Sequence, residues 1–494
     1  MDELTTARLD ADLLGHLPQG VAGPRYDRGR LSPGIVHVGL GNFHRAHQAV
    51  YLDRLFDTGA DHDWAIVGAS LRENDRPIRD DLAAQDWLTT VVELDPEGFS
   101  ARVCGAMIGY APIAAGAVVA AMADPAIRIV SLTITEGGYY VDAATGGFDA
   151  GHPDIRHDAA HPQAPRTVFG CIIEALRRRS EAGAAPFTVM SCDNLPENGH
   201  VARAAVLGLA ALQSTQTRDR IADEVAFPSS MVDCITPATS PREIEMVAER
   251  FGIVDRRPVT CEPFRQWVME DRFPQGRPAL ERVGVEFVDD VAPYELMKLR
   301  ILNGGHATIA YPAGLLDIHF VHEAMAHPLV AGFLARLERD EIVPTVPPIP
   351  GVSKDDYLAS VTRRFSNPAV GDTVRRLCLD GSNRQPKFIV PVIEDRLNAG
   401  AGIDGLALES ALWCRYCFGE TESGQPIAPN DPDWDRLRAT ARAARAAPLE
   451  WLAMRDIYGA VGDDARFRKA FARSLDALWR DGTTKALEAY LARA

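Results

Sequence analysis

Gly34-Ile35-Val36-His37-Val38-Gly39-Leu40-Gly41-Asn42-Phe43-His44 decides how the rest of this chain is read. A short apolar run rich in β-branched residues ends in two glycines and passes into a helical pattern from Ala46 to Leu55. This is how a buried strand, a tight turn and a helix look in sequence. Gly39 suits the turn, and Gly41 lets backbone amides approach a pyrophosphate at the helix start. His44 stands where G-x-G-x-x-G has its third glycine, so the fingerprint is incomplete and an ordinary glycine turn fits the same residues.

Further strands are expected at Trp64 to Ala69, Ile127 to Thr135 and Phe187 to Cys192, with helices at Val168 to Arg179 and Val201 to Leu212. Alternating strands and helices imply an α/β domain with a largely parallel sheet, preceded by a polar arm up to about Pro33. From about Pro293 the texture changes to helical patterns at Tyr294 to Ala310, Glu323 to Ile342, Tyr357 to Ser366 and Gly405 to Phe418. The expected division is therefore residues 1–290, an α/β domain with its arm, and residues 291–494, a mostly α-helical domain. The proline-rich run Val343 to Pro350 is expected to be an extended loop within the second.

A length of 494 residues calls for two to three domains. The net charge of -16 argues against nucleic acid and against an anionic membrane surface. The N-terminal run Met1 to Leu14 lacks a basic segment and an apolar core, and no apolar run approaches a membrane span. Eight scattered cysteines read as reduced, buried thiols, so a cytoplasmic location is expected.

A ribose-binding acid belongs after the second strand. Glu73 and Asp75 lie there, in Arg72-Glu73-Asn74-Asp75-Arg76. A carboxylate at that point accepts a ribose 2′-hydroxyl and repels a 2′-phosphate, favouring NAD. Arg72 and Arg76 could instead hold that phosphate and admit NADP.

The densest chemistry is Tyr294-Glu295-Leu296-Met297-Lys298-Leu299-Arg300-Ile301-Leu302-Asn303-Gly304-Gly305-His306. On a regular helix Asn303 and His306 share a face, with Lys298 about one and a half turns earlier. Oxidising an alcohol needs a base for the hydroxyl proton and donors for the developing alkoxide. A lysine with lowered pKa serves as the base, and asparagine amides serve as donors; Asn194, just past the fourth expected strand, is a second one. A lysine on an amphipathic helix is also commonly just solvated. The Tyr294/Lys298 spacing of short-chain dehydrogenases falls outside a Rossmann domain here, and Cys414-x-x-Cys417 has no second pair, so neither is given a role; no metal site is expected.

Val36 to Ala49 resembles the opening motif of the long-chain mannitol dehydrogenase family of polyol-specific dehydrogenases. So do Thr133-Ile134-Thr135-Glu136-Gly137-Gly138-Tyr139, Thr188 to Asn194 and Cys261-Glu262-Pro263-Phe264-Arg265-Gln266-Trp267, while Lys298 to His306 is similar to the family's lysine–asparagine–histidine signature. The resemblance implies a Rossmann-type domain, a helical domain, a site in the cleft between them, and metal-independent catalysis. It implies Lys298 as the base, Asn194 and Asn303 on the reacting oxygen, and Asp233 and His306 on substrate hydroxyls. Arg376 and Arg384 fall at the substrate end. The implied cofactor site comprises Gly39, Gly41, Asn42, Phe43, His44, Arg45, Asp75 and Thr135. Relatives commonly read Asn-Gly-Ser-His where this chain has Asn303-Gly304-Gly305-His306. Arg384 stands at a lysine position of mannitol-specific members, and Arg300 resembles the fructuronate-reducing and arabinitol-oxidising branches.

The expectation is an NAD-linked oxidation of a polyol to a ketose, with D-mannitol to D-fructose leading and the family's simpler bacterial members implying a monomer. Fructuronate reduction, D-arabinitol or D-sorbitol oxidation, and a catalytically silent nucleotide- or sugar-binding regulator are the rivals.

Overall fold

The structure, a computed structural model, describes residues 6–142 and 146–493; part of the N-terminal run read above lies outside them. The chain forms two compact units, Met1–Ala292 and Pro293–Ala494. The strands, all in the first unit, are β1 (Ala7–Arg8), β2 (Val21–Ala22), β3 (Pro33–Val38), β4 (Ala65–Ala69), β5 (Thr89–Glu93), β6 (Ser100–Cys104) and β7 (Met107–Tyr110). They continue as β8 (Ile129–Leu132), β9 (Thr188–Ser191), β10 (Ser230–Asp233), β11 (Ile253–Val254), β12 (Val259–Cys261), β13 (Gln266–Glu270) and β14 (Glu286–Val288).

Five strands form a parallel sheet in the order β7-β4-β3-β8-β9. Successive residues of a strand face opposite ways, and here both ways lead into apolar packing. Ile35, Ile66, Ile129 and Met190 join one cluster with Leu52, Phe56 and Trp267. Val36, Val38, Val130, Leu132 and Val189 join another with Ile172 and Val206 of helices Val168–Glu181 and Asn198–Gln213. The chain runs outward from β3 to β4 and β7, then returns to the other side of β3 as β8. That reversal makes the carboxyl end of β3 the switch point at which open α/β sheets bind ligands.

Two features of this unit differ from the expectation. The first cluster is capped by Trp267 and Met269 of a three-stranded sheet, β10-β13-β14, and by residues of a four-stranded one, β12-β5-β6-β2. These strands are mostly three to five residues long, too short for periodicity to single out. The polar arm is also structured: β1 pairs with β11 and β2 with β6.

The second unit is helical, with isolated bridges Phe320–Thr373 and Glu420–Pro426. Its centre is helix Asp404–Cys417, buried at every position from Gly405 to Cys417 and packed against helix Ala465–Leu491. The expected helix from Glu323 to Ile342 is broken into Val321–Ala326, Pro328–Leu337 and a π-helical turn, Glu338–Ile342. Pro328 lacks the amide needed to continue the first helix and starts the second instead. The run expected as an extended loop opens with a 3-10 turn, Val343–Thr345. All eight cysteines are buried and unbridged, and among the described residues no helix is long and apolar enough to cross a membrane.

Candidate active site

In the first unit the loop after β3 is shaped by what it lacks. Gly39 has φ +108°, and a Cβ there would sit 2.0 Å from the Thr133 carbonyl oxygen, so only glycine fits. A Cβ on Gly41 would meet nothing within 4 Å, so that position lies open to a close-approaching group. The side chains that follow are bonded or packed within the unit. Asn42 donates to the Pro237 carbonyl at 3.1 Å and the Thr239 hydroxyl at 2.9 Å. Arg45 is buried, donating to Asn42 Oδ1 at 2.7 Å and to the Arg257 carbonyl, and burial lowers its pKa to about 10. His44 is buried in the sheet's packing and Phe43 stacks on His47 with ring centroids 4.8 Å apart. What the loop presents is backbone.

At the end of β4, Asp75 accepts a hydrogen bond from the Ser70 hydroxyl at 2.5 Å. Arg76 is held by Glu73 at 2.6 Å, so its charge is already matched. After β8, Thr135 is exposed and held at φ +65°, a conformation unusual for a branched residue. Asp193 imposes it: its carboxylate accepts the Ile134 and Thr135 amides, both at 2.9 Å, and the Tyr139 hydroxyl at 2.7 Å. Burial raises the Asp193 pKa, opposed by those same hydrogen bonds. Asp193 and Tyr139 thus tie the Thr135 loop to the segment carrying Asn194, a role the motif contained but did not reveal. Asp233 ends β10 and is buried.

In the second unit, Lys298–Asn303 is a π-helical turn between helices Ala292–Met297 and Gly304–Leu315. A regular helix sets Lys298 and Asn303, five residues apart, on different faces; i→i+5 hydrogen bonding brings residues five apart toward one another. Lys298 is 8% exposed. Asn303 Oδ1 and His306 Nε2 meet no hydrogen-bond partner among the described residues. The His306 ring stacks on Phe365 with centroids 4.1 Å apart. Burial, then the charges of Arg376, Arg364 and Arg384, drive its pKa well below the usual value, so the ring is neutral. Arg376 is paired with Asp372, and Arg384 donates to the Leu377 carbonyl at 3.1 Å. Thus His306, Arg376 and Arg384 share one neighbourhood, joined by Arg364, which sequence spacing gave no means to find. Gly304 has room for a side chain, whereas a Cβ on Gly305 would press on Glu338 Oε1 at 3.0 Å and on Phe365. Glu338 is fully buried with neither oxygen hydrogen-bonded, and burial raises its pKa well above the usual carboxylate range.

Residues 33–282 match the mannitol dehydrogenase Rossmann domain and residues 290–479 match the mannitol dehydrogenase C-terminal domain. The chain belongs to the mannitol dehydrogenase family. It is 59% identical over 478 residues to mannitol 2-dehydrogenase of Cereibacter sphaeroides, covering 96% of this chain and 100% of that one. The solved Pseudomonas fluorescens mannitol 2-dehydrogenase, in a ternary complex with NAD and D-mannitol, is 43% identical with a TM-score of 0.88 over 99% of this chain and 100% of that one. A D-sorbitol dehydrogenase in substrate-free form is 34% identical with a TM-score of 0.90, over 97% of this chain and 100% of that one.

Within the mannitol dehydrogenase family the departure at Arg300 takes on a structural meaning. Its guanidinium donates to Asp395 at 2.5 Å and to the Thr345 carbonyl, so it braces the π-helical turn from behind. Among the described residues no group of three or more His, Cys, Asp or Glu is placed to hold a metal ion.

Proposed function

We propose that this protein is an NAD-dependent mannitol 2-dehydrogenase, an oxidoreductase converting D-mannitol to D-fructose reversibly. The observation that carries the reading is the whole-length likeness to mannitol 2-dehydrogenases, one of them bound to NAD and D-mannitol. The backbone-lined loop at the switch point of the parallel sheet fits a dinucleotide, and Asp75 at the end of β4 fits its adenosine ribose. Held by this loop and Asp75, NAD would supply the acceptor for the hydride of the alcohol carbon.

The chain's own residues do the rest. Lys298 Nζ takes the proton of the carbon-2 hydroxyl, and the amides of Asn194 and Asn303 donate to the oxygen as it gains negative charge. Deep burial of Lys298 keeps that exchange away from bulk water. His306, neutral, and Asp233 hydrogen-bond further hydroxyls of the polyol. Arg376 and Arg384 shape the far end of the substrate.

The structure favours a neutral polyol over a sugar acid, because Arg300, the residue that would have received a carboxylate, is bonded to Asp395. NAD is favoured over NADP because the Asp75 carboxylate repels a 2′-phosphate and Arg76 is matched by Glu73. A monomeric cytoplasmic enzyme is our reading, checked by light scattering and cell fractionation. The deciding experiment is a screen of mannitol, sorbitol, arabinitol, fructose and fructuronate with both nucleotides. Mannitol and fructose with NAD(H) are expected to give the highest kcat/KM. Preference for fructuronate or sorbitol would overturn the substrate, and silence with retained NADH binding would favour a regulator.

A further inference from the structure

We propose that His37 is the positioning residue of the dinucleotide loop: clamped between Ser131 and the Gly39 carbonyl, its imidazole sets where the loop's amides point. The inference rests on the reading that Gly39 to Asn42 receives NAD. His37 lies on the central strand β3, fully buried, and a polar ring there is costly unless both nitrogens are bonded. They are. Nδ1 is 2.8 Å from Ser131 Oγ on β8, and Nε2 is 2.6 Å from the Gly39 carbonyl oxygen. Thr133 Oγ1 joins both, 2.9 Å from Nε2 and 3.0 Å from the same carbonyl. Behind His37, the His44 ring is stacked at 3.4 Å and 10°.

Proton counting gives this network a direction. The Gly39 carbonyl only accepts, so Nε2 carries the hydrogen. Burial drives the ring's pKa down to about 3, so it is neutral and Nδ1 accepts. Ser131 therefore donates its one proton to Nδ1. The Gln48 amide lies 3.1 Å from Ser131 Oγ and 3.2 Å from His44 Nδ1, while its other end meets no partner. Amide nitrogen and oxygen are distinguished by such counts, and this one turns the NH2 of Gln48 toward Ser131. The donors then run Gln48, Ser131, His37, ending on the carbonyl of Gly39, each polarising the next.

That last bond reaches the cofactor side through peptide geometry. In a trans peptide the carbonyl and the following amide point in opposite directions. Holding the Gly39 carbonyl toward His37 aims the Leu40 N–H away from it. Neither the Leu40 nor the Gly41 amide donates to another group among the described residues. Gly39 itself is fixed by its φ of +108° and the Thr133 carbonyl. A loop anchored in this way meets a pyrophosphate with its donors already oriented, and little ordering remains to be done on binding.

The test compares His37→Leu, which removes both bonds, with His37→Gln, whose amide restores a donor near the Nε2 position. NADH binding is read by fluorescence titration, KM and kcat by steady-state kinetics, and folding by circular dichroism. His37→Leu is expected to raise the NADH Kd and the NAD KM on the order of 10-fold, with a smaller fall in kcat and an unchanged mannitol KM. His37→Gln should recover part of the loss. If His37→Leu does not fold, Thr133→Val removes the second bond to the Gly39 carbonyl and should weaken NADH binding severalfold. An unchanged NADH Kd in a folded variant, or a lower melting temperature with kcat and both KM values changed together, overturns the proposal. Wild-type protein that does not bind NADH overturns the cofactor reading itself, a separate result seen before any variant is made.

Discussion

The loop after β3 and the turn Lys298–Asn303 are both short departures from regular structure, and they work in opposite ways. In the first, a strand ends on Gly39 at φ +108° and offers backbone, with its side chains turned inward as struts. In the second, a helix takes in one extra residue, which changes the angular phase between Lys298 and Asn303. Recognition by backbone is written in sequence as missing side chains. Recognition by side chains depends on angular phase, which one residue resets by about 100°.

The largest effect expected is at Lys298. Lys298→Ala should lower kcat on the order of 10²–10⁴-fold while NADH still binds; turnover near wild type would remove the lysine from the chemistry. Deleting Leu299 asks whether the phase itself matters. The shortened helix should keep its circular dichroism yet lose on the order of 10²-fold in kcat. Equal loss of NADH affinity in this variant would blur the contrast between the two regions. Gly39→Ala makes the complementary break: strain and the clash with the Thr133 carbonyl should raise the NAD KM on the order of 10-fold and reduce the melting temperature.

The smallest effect separates the two units by pH. In the first unit, burial depresses the pKa of His37 from 6.5 to about 3. Its contribution to stability is present above pH 6.5 and is lost as pH falls toward 3. In the second unit, burial raises Glu409 from 4.5 to about 8 and Glu341 to about 7. Their contribution is full below pH 4.5 and is lost as pH rises through 7 to 8. Hydrogen exchange followed across this range should show the strands around His37 loosening on acidification and the helices around Glu409 and Glu341 loosening on alkalinisation. Glu409→Gln, which mimics the neutral acid, should flatten the second slope; a slope unchanged by it would assign the effect elsewhere.

These contrasts explain what could be read from sequence. The parallel sheet was legible because Ile35, Val36 and their counterparts are apolar on both faces, and the helix Asp404–Cys417 because it is apolar nearly all round. The lysine, asparagine and histidine were legible as residue types within a motif. Their arrangement was not, since a π-helical turn carries no composition of its own. The break before Pro328 was open to reading and was overridden by the apolar periodicity on either side of it. The inward turn of Asn42, His44 and Arg45 depends on Pro237, Thr239, Arg257 and Gln48, and three of those four partners lie some two hundred positions on. Arg364 beside His306, and Glu338 under Gly305, are likewise products of packing between helices.

The arm carries a consequence for biosynthesis. Ala7 and Arg8 find their partners at Ile253 and Val254, near the far end of the same unit. A ribosome adding roughly 5–20 residues per second needs tens of seconds to travel between them. Through that interval the first strand stands outside the exit tunnel with no edge to join, and its pairing waits until nearly the whole unit has been made.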